Sequence, residues 1–461
     1  MWLAVFVLLS GAQVLFAQMT FERVHLLEEK GETSAGVSIG DLNGDGRLDL
    51  VLAKGRHWPL HDRVLINDGK GGYIANNLGS TPDRTYSAAL ADIDLDGDLD
   101  IIVSNDSPDR KLIYKNDGKG RFTEAGTFGE KEWPTRYITL ADLNGDRYPD
   151  IVAANRGGGP KAWAQSFVCF NDGKGAFPSC RPVPGTESAT SIVAADFDGD
   201  DTVDLFVPHR DGGQSILLWN NGKGDFAAPV NVGPAKTWSR LAVAADLNHD
   251  GLLDLAYIEE RKKATFVQYS EGKGKFAEPI QLPGAAKVPY ALQVGDLDRD
   301  GYLDLVVGFV EARGVVYFNQ GRKGQFTEVP WNDGTGAVYG MVFHDVDGDG
   351  VTDIIAARSD APNGIWFGAK VGAAAAGRAL QRSDAAAMSI AYAAEIALSE
   401  QRMSDLEKWK GSGRLREQAL AVLNAAQRAQ HSAFEADFAT ARDAIARKLI
   451  PDPPMGEILC H

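Results

Sequence analysis

The chain has 461 residues, 44% of them hydrophobic and 24% charged, with a formal net charge of −16. That length allows one large domain or two or three ordinary ones, and the apolar share excludes a wholly disordered chain. The acidic balance argues against nucleic acid as a partner.

Residues 1–17, MWLAVFVLLSGAQVLFA, are uncharged and mostly apolar. The run is short for a membrane span and fits the apolar region of a secretory signal, although no Lys or Arg precedes it and Leu15 is large for a cleavage site. A cleaved signal predicts a secreted or periplasmic protein with no stable membrane span after cleavage. An uncleaved anchor is the alternative.

Residues 18–370 are organised as a repeat. DLNGDGRLD, residues 41–49, carries oxygen-bearing side chains at its first, third, fifth and ninth positions. The pattern begins again at Asp92, Asp142, Asp196, Asp246, Asp296 and Asp345, at spacings of 51, 50, 54, 50, 50 and 49 residues. A steady period near fifty signals a repeat architecture. A glycine turn of the NDGKG type follows each of the first six loops about 24 residues after the loop's start, at Asn67, Asn116, Asn171, Asn220, Ser270 and Asn319. Asn-Asp-Gly and Gly-Lys-Gly supply the positive φ values of tight hairpins.

Short runs rich in Val, Ile, Leu, Ala and Tyr lie between these marks, such as TYSAALAD, LDIIVSN and KLIYKND. They predict four strands per repeat, and hence an all-β, seven-bladed β-propeller of four-stranded antiparallel blades. Ala88, Ala89, Ala194, Ala195, Ala244 and Ala245 precede the acidic loops, and small side chains suit an innermost strand. The seventh repeat lacks a glycine turn and an outer strand. Residues 19–27, MTFERVHLL, read like GQFTEVPW of the sixth repeat, so residues 21–27 are expected to be the outer strand of the last blade, leaving no open edge.

Cys169 and Cys180 flank FNDGKGAF, a hairpin-like turn, so a disulfide or two half-buried thiols fit the spacing; Cys460 is left over. From residue 371 to 461 the chain is Ala-rich and charged. Phe434, Phe438, Ala441, Ile445 and Leu449 form an apolar helical stripe, and Gly411, Ser412 and Gly413 separate two helices. The expectation is a helical hairpin that serves packing or a helix-mediated partner.

Hard oxygen ligands at alternate positions, then a Gly and a fourth Asp, suit Ca²⁺, which takes 6–8 oxygens. The predicted ligands are Asp41, Asn43, Asp45 and Asp49; Asp92, Asp94, Asp96 and Asp100; Asp142, Asn144, Asp146 and Asp150; Asp196, Asp198, Asp200 and Asp204; Asp246, Asn248, Asp250 and Asp254; Asp296, Asp298, Asp300 and Asp304; and Asp345, Asp347, Asp349 and Asp353. An EF-hand would need a Glu at position twelve and helical flanks. Mg²⁺ wants a tighter octahedron. Up to seven Ca²⁺ ions are expected, and seven divalent ions would bring the formal charge from −16 to about −2, so the acidity calls for no basic macromolecule. Arg147 and Asp201 replace the turn Gly, so the third and fourth sites should be weaker.

The acidic loops and glycine turns together resemble the FG-GAP or VCBS-like repeats of bacterial secreted proteins. The loops are similar to those of the integrin α-subunit propeller and a fungal seven-bladed lectin. The resemblance covers about residues 19–368 and implies the propeller and its calcium. Related propellers serve as lectins, adhesion modules and, less often, lyase or dehydratase scaffolds.

In an up-and-down blade the acidic loops and glycine turns share one face. The opposite face gathers aromatic, basic and histidine residues. Arg56, His57, Trp58, Arg84, Tyr86, Arg136, Arg156, His209, Arg210, Trp238, Arg240, Tyr290, Tyr339 and Arg358 are the candidate ligand-binding residues there. Aromatic faces stack on sugars, and Arg binds hydroxyls or acidic groups. The reading is a glycan or extracellular protein bound on that face. The alternatives are a polysaccharide lyase or dehydratase using His209, Arg210 and the loop of Arg56 and His57, or an assembly module using the tail. GVSIG, residues 36–40, has the spelling of a nucleophile elbow but no helix after it.

Overall fold

The computed structural model describes residues 18–157, 165–284 and 287–371. The expected signal segment, the helical extension and Cys460 lie outside the described residues. Every regular element among those residues is a strand.

Seven four-stranded antiparallel sheets form the blades. The first contains Ser34–Gly40, Asp49–Lys54, Arg63–Asn67 and Tyr73–Asn77, in that order. Blades two to six follow at residues 85–128, 135–187, 193–231, 239–281 and 289–331. The seventh contains Ala337–His344, Asp353–Ser359 and Gly364–Val371, and its outer position is filled by Gln18–Leu26 from the other end of the chain. The Leu27 amide donates to the Asn363 carbonyl at 2.8 Å, which fastens the end of that strand.

The first strands of successive blades touch one another in a ring, and the seventh touches the first. These are therefore the inner strands, where small side chains are needed. The second strands are buried along their whole length in all seven blades, because a neighbouring blade covers each side. That is why they read as continuous apolar runs.

The hydrophobic core is divided among the seams between blades. Leu42, Val51 and Val64 of the first blade pack with Ile101, Val103 and Leu112 of the second. Val37, Leu50 and Leu52 of the first meet Ile355, Ala357 and Ile365 of the seventh. Met19 and Phe21 join Trp331, Trp366 and Ile354 at the seam of blades six and seven. A disulfide joins Cys169 to Cys180, which face each other in register on the third and fourth strands of blade three.

Inner strands carry a recurring irregularity. In six blades the pairing of first and second strands slips near its start, leaving Ala35, Tyr86, Arg136 with Tyr137, Arg240, Tyr290 or Tyr339 out of register. A bulge of this kind re-aims a side chain. All of these but Ala35 are large.

Candidate functional site

The acidic loops are built alike. In each, the first Asp accepts the backbone N–H of the sixth residue at 2.7 to 3.0 Å. This folds the loop back on itself and requires a left-handed sixth residue. Arg147 and Asp201 adopt that conformation, with φ of 79° and 66°, where the other loops use Gly. A side chain there costs roughly 1–2 kcal/mol. The fourth position is left-handed too, and Leu95, His249 and Arg299 hold it without Gly. The second residue anchors the first six loops: Leu42, Ile93, Leu143, Phe197, Leu247 and Leu297 are buried.

The ninth-position carboxylates do more than sequence spacing suggests. Asp49, Asp100, Asp150, Asp204, Asp254, Asp304 and Asp353 are fully or nearly fully buried. Each accepts one N–H from the second residue of its own loop and one from the third strand or the turn after it, at 2.8 to 3.5 Å. In the first six blades they clasp the acidic loop to the start of the glycine turn, and in the seventh to the third strand at Gly368. Burial pushes Asp100, Asp150, Asp204, Asp254 and Asp353 up to about 6 and Asp304 up to about 8, against the pull of those amides and with the help of neighbouring carboxylates. The Asn side chains of the glycine turns extend the clasp sideways. Asn116, Asn171, Asn220 and Asn319 each donate to a carbonyl of the preceding blade's acidic loop, at 2.7 to 2.8 Å.

These loops fit a hard divalent cation. In loops two, four, six and seven, three carboxylates offer oxygens within 4.8 Å of one another: Asp92, Asp94 and Asp96; Asp196, Asp198 and Asp204; Asp296, Asp298 and Asp300; Asp345, Asp347 and Asp353. Oxygens sharing one Ca²⁺ are at most about 5 Å apart, since each bond is 2.3–2.6 Å. Asp94 Oδ1 and Asp345 Oδ1 are buried and lack a hydrogen-bond partner among the described residues, while Lys115 bonds the other oxygen of Asp94 and Arg299 lies 3.4 Å from the other oxygen of Asp345. The loops with Asn43, Asn144 and Asn248 offer an amide oxygen in place of the third-position carboxylate. In loop three the Asn144 amide donates to Asp146 Oδ2 at 3.0 Å.

On the opposite face the out-of-register residues converge on the axis. Tyr137 of blade three reaches across it and donates to the carbonyls of Tyr339 at 2.9 Å and Ala35 at 3.3 Å. The Arg56 guanidinium lies over the Tyr339 ring at 3.8 Å, that of Arg136 over Tyr86 at 4.3 Å, and that of Arg240 over Tyr290 at 4.2 Å. Tyr290 and Tyr339 meet edge to face at 5.1 Å. His57 Nε2 is 3.0 Å from the Tyr86 hydroxyl, and His57 Nδ1 is 3.5 Å from Asp106. Burial, with Arg56 and Arg136 beside it, holds the imidazole below its ordinary range. Trp58, on the same loop, is 71% exposed.

Ion pairs divide the predicted ligand residues. Arg136 pairs with Asp106 at 2.6 Å, and Arg240 with Glu260 at 3.1 Å, a carboxylate it shares with Arg210. Arg84 is held by Asp109, and Arg156 by Asp211 through two bonds. Arg261 lies over Trp238 at 4.0 Å. Arg56 forms no ion pair among the described residues.

Two expectations need correction. Arg358 is only 1% exposed, and it bonds Asp333 and the Pro362 carbonyl against Trp366, so it braces the wall of blade seven and offers nothing to a ligand. His209 is buried and holds the Gln214 carbonyl through Nδ1. Its ring is thereby committed within its own loop and is not presented to a ligand as a lyase's base would be. Ser38 of GVSIG sits in a strand and donates to the Ala88 carbonyl, which leaves no nucleophile there.

Sequence reasoning missed Tyr137 as the residue that spans the axis, and Asp106, Glu260 and Asp211 as counter-ions. One signal was present. Counting six residues back from each loop's first Asp gives Ala35, Tyr86, Arg136, Thr190, Arg240, Tyr290 and Tyr339, a column dominated by Tyr and Arg.

A ring of seven blades, each opening on an Asp-rich loop, defines a class of repeat propellers. The chain belongs to the family of FG-GAP-like repeat proteins, whose model matches residues 41–103, 92–153, 142–207, 202–257, 246–307 and 296–356. No curated protein matches it significantly in sequence. Among solved structures it is similar to virginiamycin B lyase from Staphylococcus aureus, with a TM-score of 0.51 and 14% identity over 76% of this chain and 98% of that one. It is also similar to BBS1N, solved in complex with ARL6DN, with a TM-score of 0.50 and 14% identity over 75% of this chain and 95% of that one. A lectin from Agrocybe aegerita that recognises non-reducing terminal N-acetylglucosamine aligns at a TM-score of 0.49 and 22% identity, over 72% of this chain and 87% of that one. At these identities the likeness concerns the fold alone.

Proposed function

We propose that the protein is a secreted or periplasmic calcium-binding propeller that takes a glycan or protein ligand on the face opposite its acidic loops. The observation that carries this reading is the column of out-of-register Tyr and Arg side chains at the axis, with exposed Trp58 at its rim. A strand bulge costs regular pairing, and its repetition around the ring is explained by the side chains it directs inward. Calcium in the loops stiffens the scaffold from the other side, where the ninth-position Asp clasps each loop to its neighbouring turn or strand. The disulfide of Cys169 and Cys180 supports an oxidising compartment. Among the described residues no helix is long and apolar enough to cross a membrane.

A second reading rests on His57. A neutral imidazole 3.0 Å from the Tyr86 hydroxyl is a candidate base for a polysaccharide lyase. One experiment separates the two. Full-length protein in millimolar calcium is applied to a glycan array and to immobilised extracellular proteins, and each hit is assayed for products. Binding that weakens in the Trp58→Ala variant, with no turnover, supports the first reading. Turnover abolished by His57→Ala supports the second. Silence on every surface refutes both.

A further inference from the structure

The charge on the binding face runs opposite to that of the whole chain. Four guanidinium groups, those of Arg56, Arg136, Arg210 and Arg240, surround the axis, and among the described residues only Asp106 and Glu260 pair with them. Glu260 serves two of the four. The chain as a whole is formally −16. A local positive excess in an acidic protein, focused between aromatic walls, attracts anions.

Arg56 is the group with the least compensation. Its guanidinium stacks on Tyr339, its nearest side-chain acceptor is the Ser359 hydroxyl at 3.5 Å, and its Nε is buried without a partner. Burying a cationic donor unsatisfied is costly unless an acceptor arrives. The loop that presents it is shaped for the purpose. Gly55 has φ of 103°, and a Cβ there would lie 2.4 Å from the Trp58 carbonyl and 2.5 Å from that of Asp83. Only Gly makes this turn, which leaves Arg56 stacked on Tyr339 and Trp58 exposed to solvent. Crowding is visible in Arg210 as well, which burial and the Arg240 guanidinium push down to about 10 against the pull of Glu260.

We propose that this axial cluster recognises an acidic glycan: Arg56 takes a carboxylate or sulfate of the sugar, the buried and paired Arg136 and Arg240 add positive field behind it, and a neighbouring ring stacks on Trp58. The inference rests on the binding role proposed above and narrows it to one ligand class. Arg suits planar and tetrahedral oxyanions because its fork donates two parallel bonds. Tyr86, Tyr290 and Tyr339 are covered by the guanidinium groups and hold them in place, while the exposed indole of Trp58 offers a flat surface, which suits a pyranose ring better than an extended peptide. Uronates and sulfated sugars share the required chemistry.

The test uses full-length protein in millimolar calcium and isothermal titration calorimetry. The probes are tetragalacturonate, its methyl ester, chondroitin sulfate and a polyaspartate peptide. The free acid or the sulfated chain should bind, the two arms showing which anion is preferred, and the ester should bind at least about ten-fold more weakly, the value of one charged hydrogen bond. Arg56→Gln and Trp58→Ala, checked for folding by their melting curves, should each weaken the acidic sugar by about ten-fold or more. Added salt should weaken it further. An ester that binds as well as the acid overturns the acidic class while leaving glycan binding in place. Polyaspartate bound in preference to every sugar overturns the glycan. Acidic-sugar binding unchanged in both variants overturns the site, and no binding to either acidic sugar overturns the proposal even where neutral glycans bind on the array.

Discussion

Replacing Asp304 by Ala separates the structural task of the acidic loops from their metal task. Asp304 is fully buried and accepts the amides of Leu297 and Asn319, both at 2.9 Å. Removing its carboxylate leaves two buried N–H groups without partners, at about 1–3 kcal/mol each. The variant should therefore lose roughly 2–6 kcal/mol even with EDTA present, from those two amides alone. Asp300 of the same loop is exposed, and without a metal its task is slight: it accepts a local amide, that of Tyr302, at 2.8 Å. Asp300→Ala should cost well under ~1 kcal/mol in EDTA, as for an ordinary surface change, yet lose part of the stabilisation that calcium confers. Urea unfolding followed by tryptophan fluorescence, in calcium and in EDTA, reads both effects. If Asp304→Ala and Asp300→Ala behave alike in EDTA, the clasp contributes nothing and the ninth Asp is a ligand only.

The ion-free protein should lose stability as pH rises. Burial raises Asp100, Asp150, Asp204, Asp254 and Asp353 to about 6 and Asp304 to about 8 in the fold, against near 4 when unfolded, so their contribution is full below about 4 and lost through 6 to 8. Saturating calcium should reverse that slope, and melting curves from pH 5 to 8 that run parallel with and without calcium would refute the argument. Deleting residues 19–28 should cause aggregation, because it strips Met19 and Phe21 from the seam of blades six and seven and bares an edge strand; a soluble, normally melting product in size-exclusion chromatography would exclude that role. Cutting the chain after Lys370 should leave the propeller's calcium-dependent melting intact. Cys169→Ser should lower stability by about 2–4 kcal/mol, and dithiothreitol should reproduce that loss in the parent protein.

The blades were legible because turn chemistry and apolar runs repeat at a fixed period. The Asp loops and NDGKG turns marked both ends of each hairpin, and the outer strand from the N-terminus was visible as a motif the seventh repeat lacked. The bulges were not legible. A strand that slips by one residue at Tyr86 or Arg240 has the same local composition as one that does not, and only the position six residues before each loop betrays it. Arg358 shows the converse difficulty. Its loop sequence, RSDAPN, reads as surface, yet Asp333 from an inter-blade loop draws the guanidinium into the wall beside Trp366. The partners of Arg136, Arg156 and Arg210 lie on other blades and carry no local signature. The double role of the ninth Asp was hidden for the same reason, since its amide partner on the third strand is 15 to 21 residues away.

Calcium occupancy tests the central claim most directly. Protein equilibrated by dialysis against millimolar calcium, then measured for calcium per chain by elemental analysis, should hold at least the ions of the four loops whose carboxylates converge, and at most seven. Affinities of ~10⁻⁴–10⁻³ M are expected for sites of extracellular type. A chain that retains no calcium under these conditions, and melts identically with EDTA, contradicts the account.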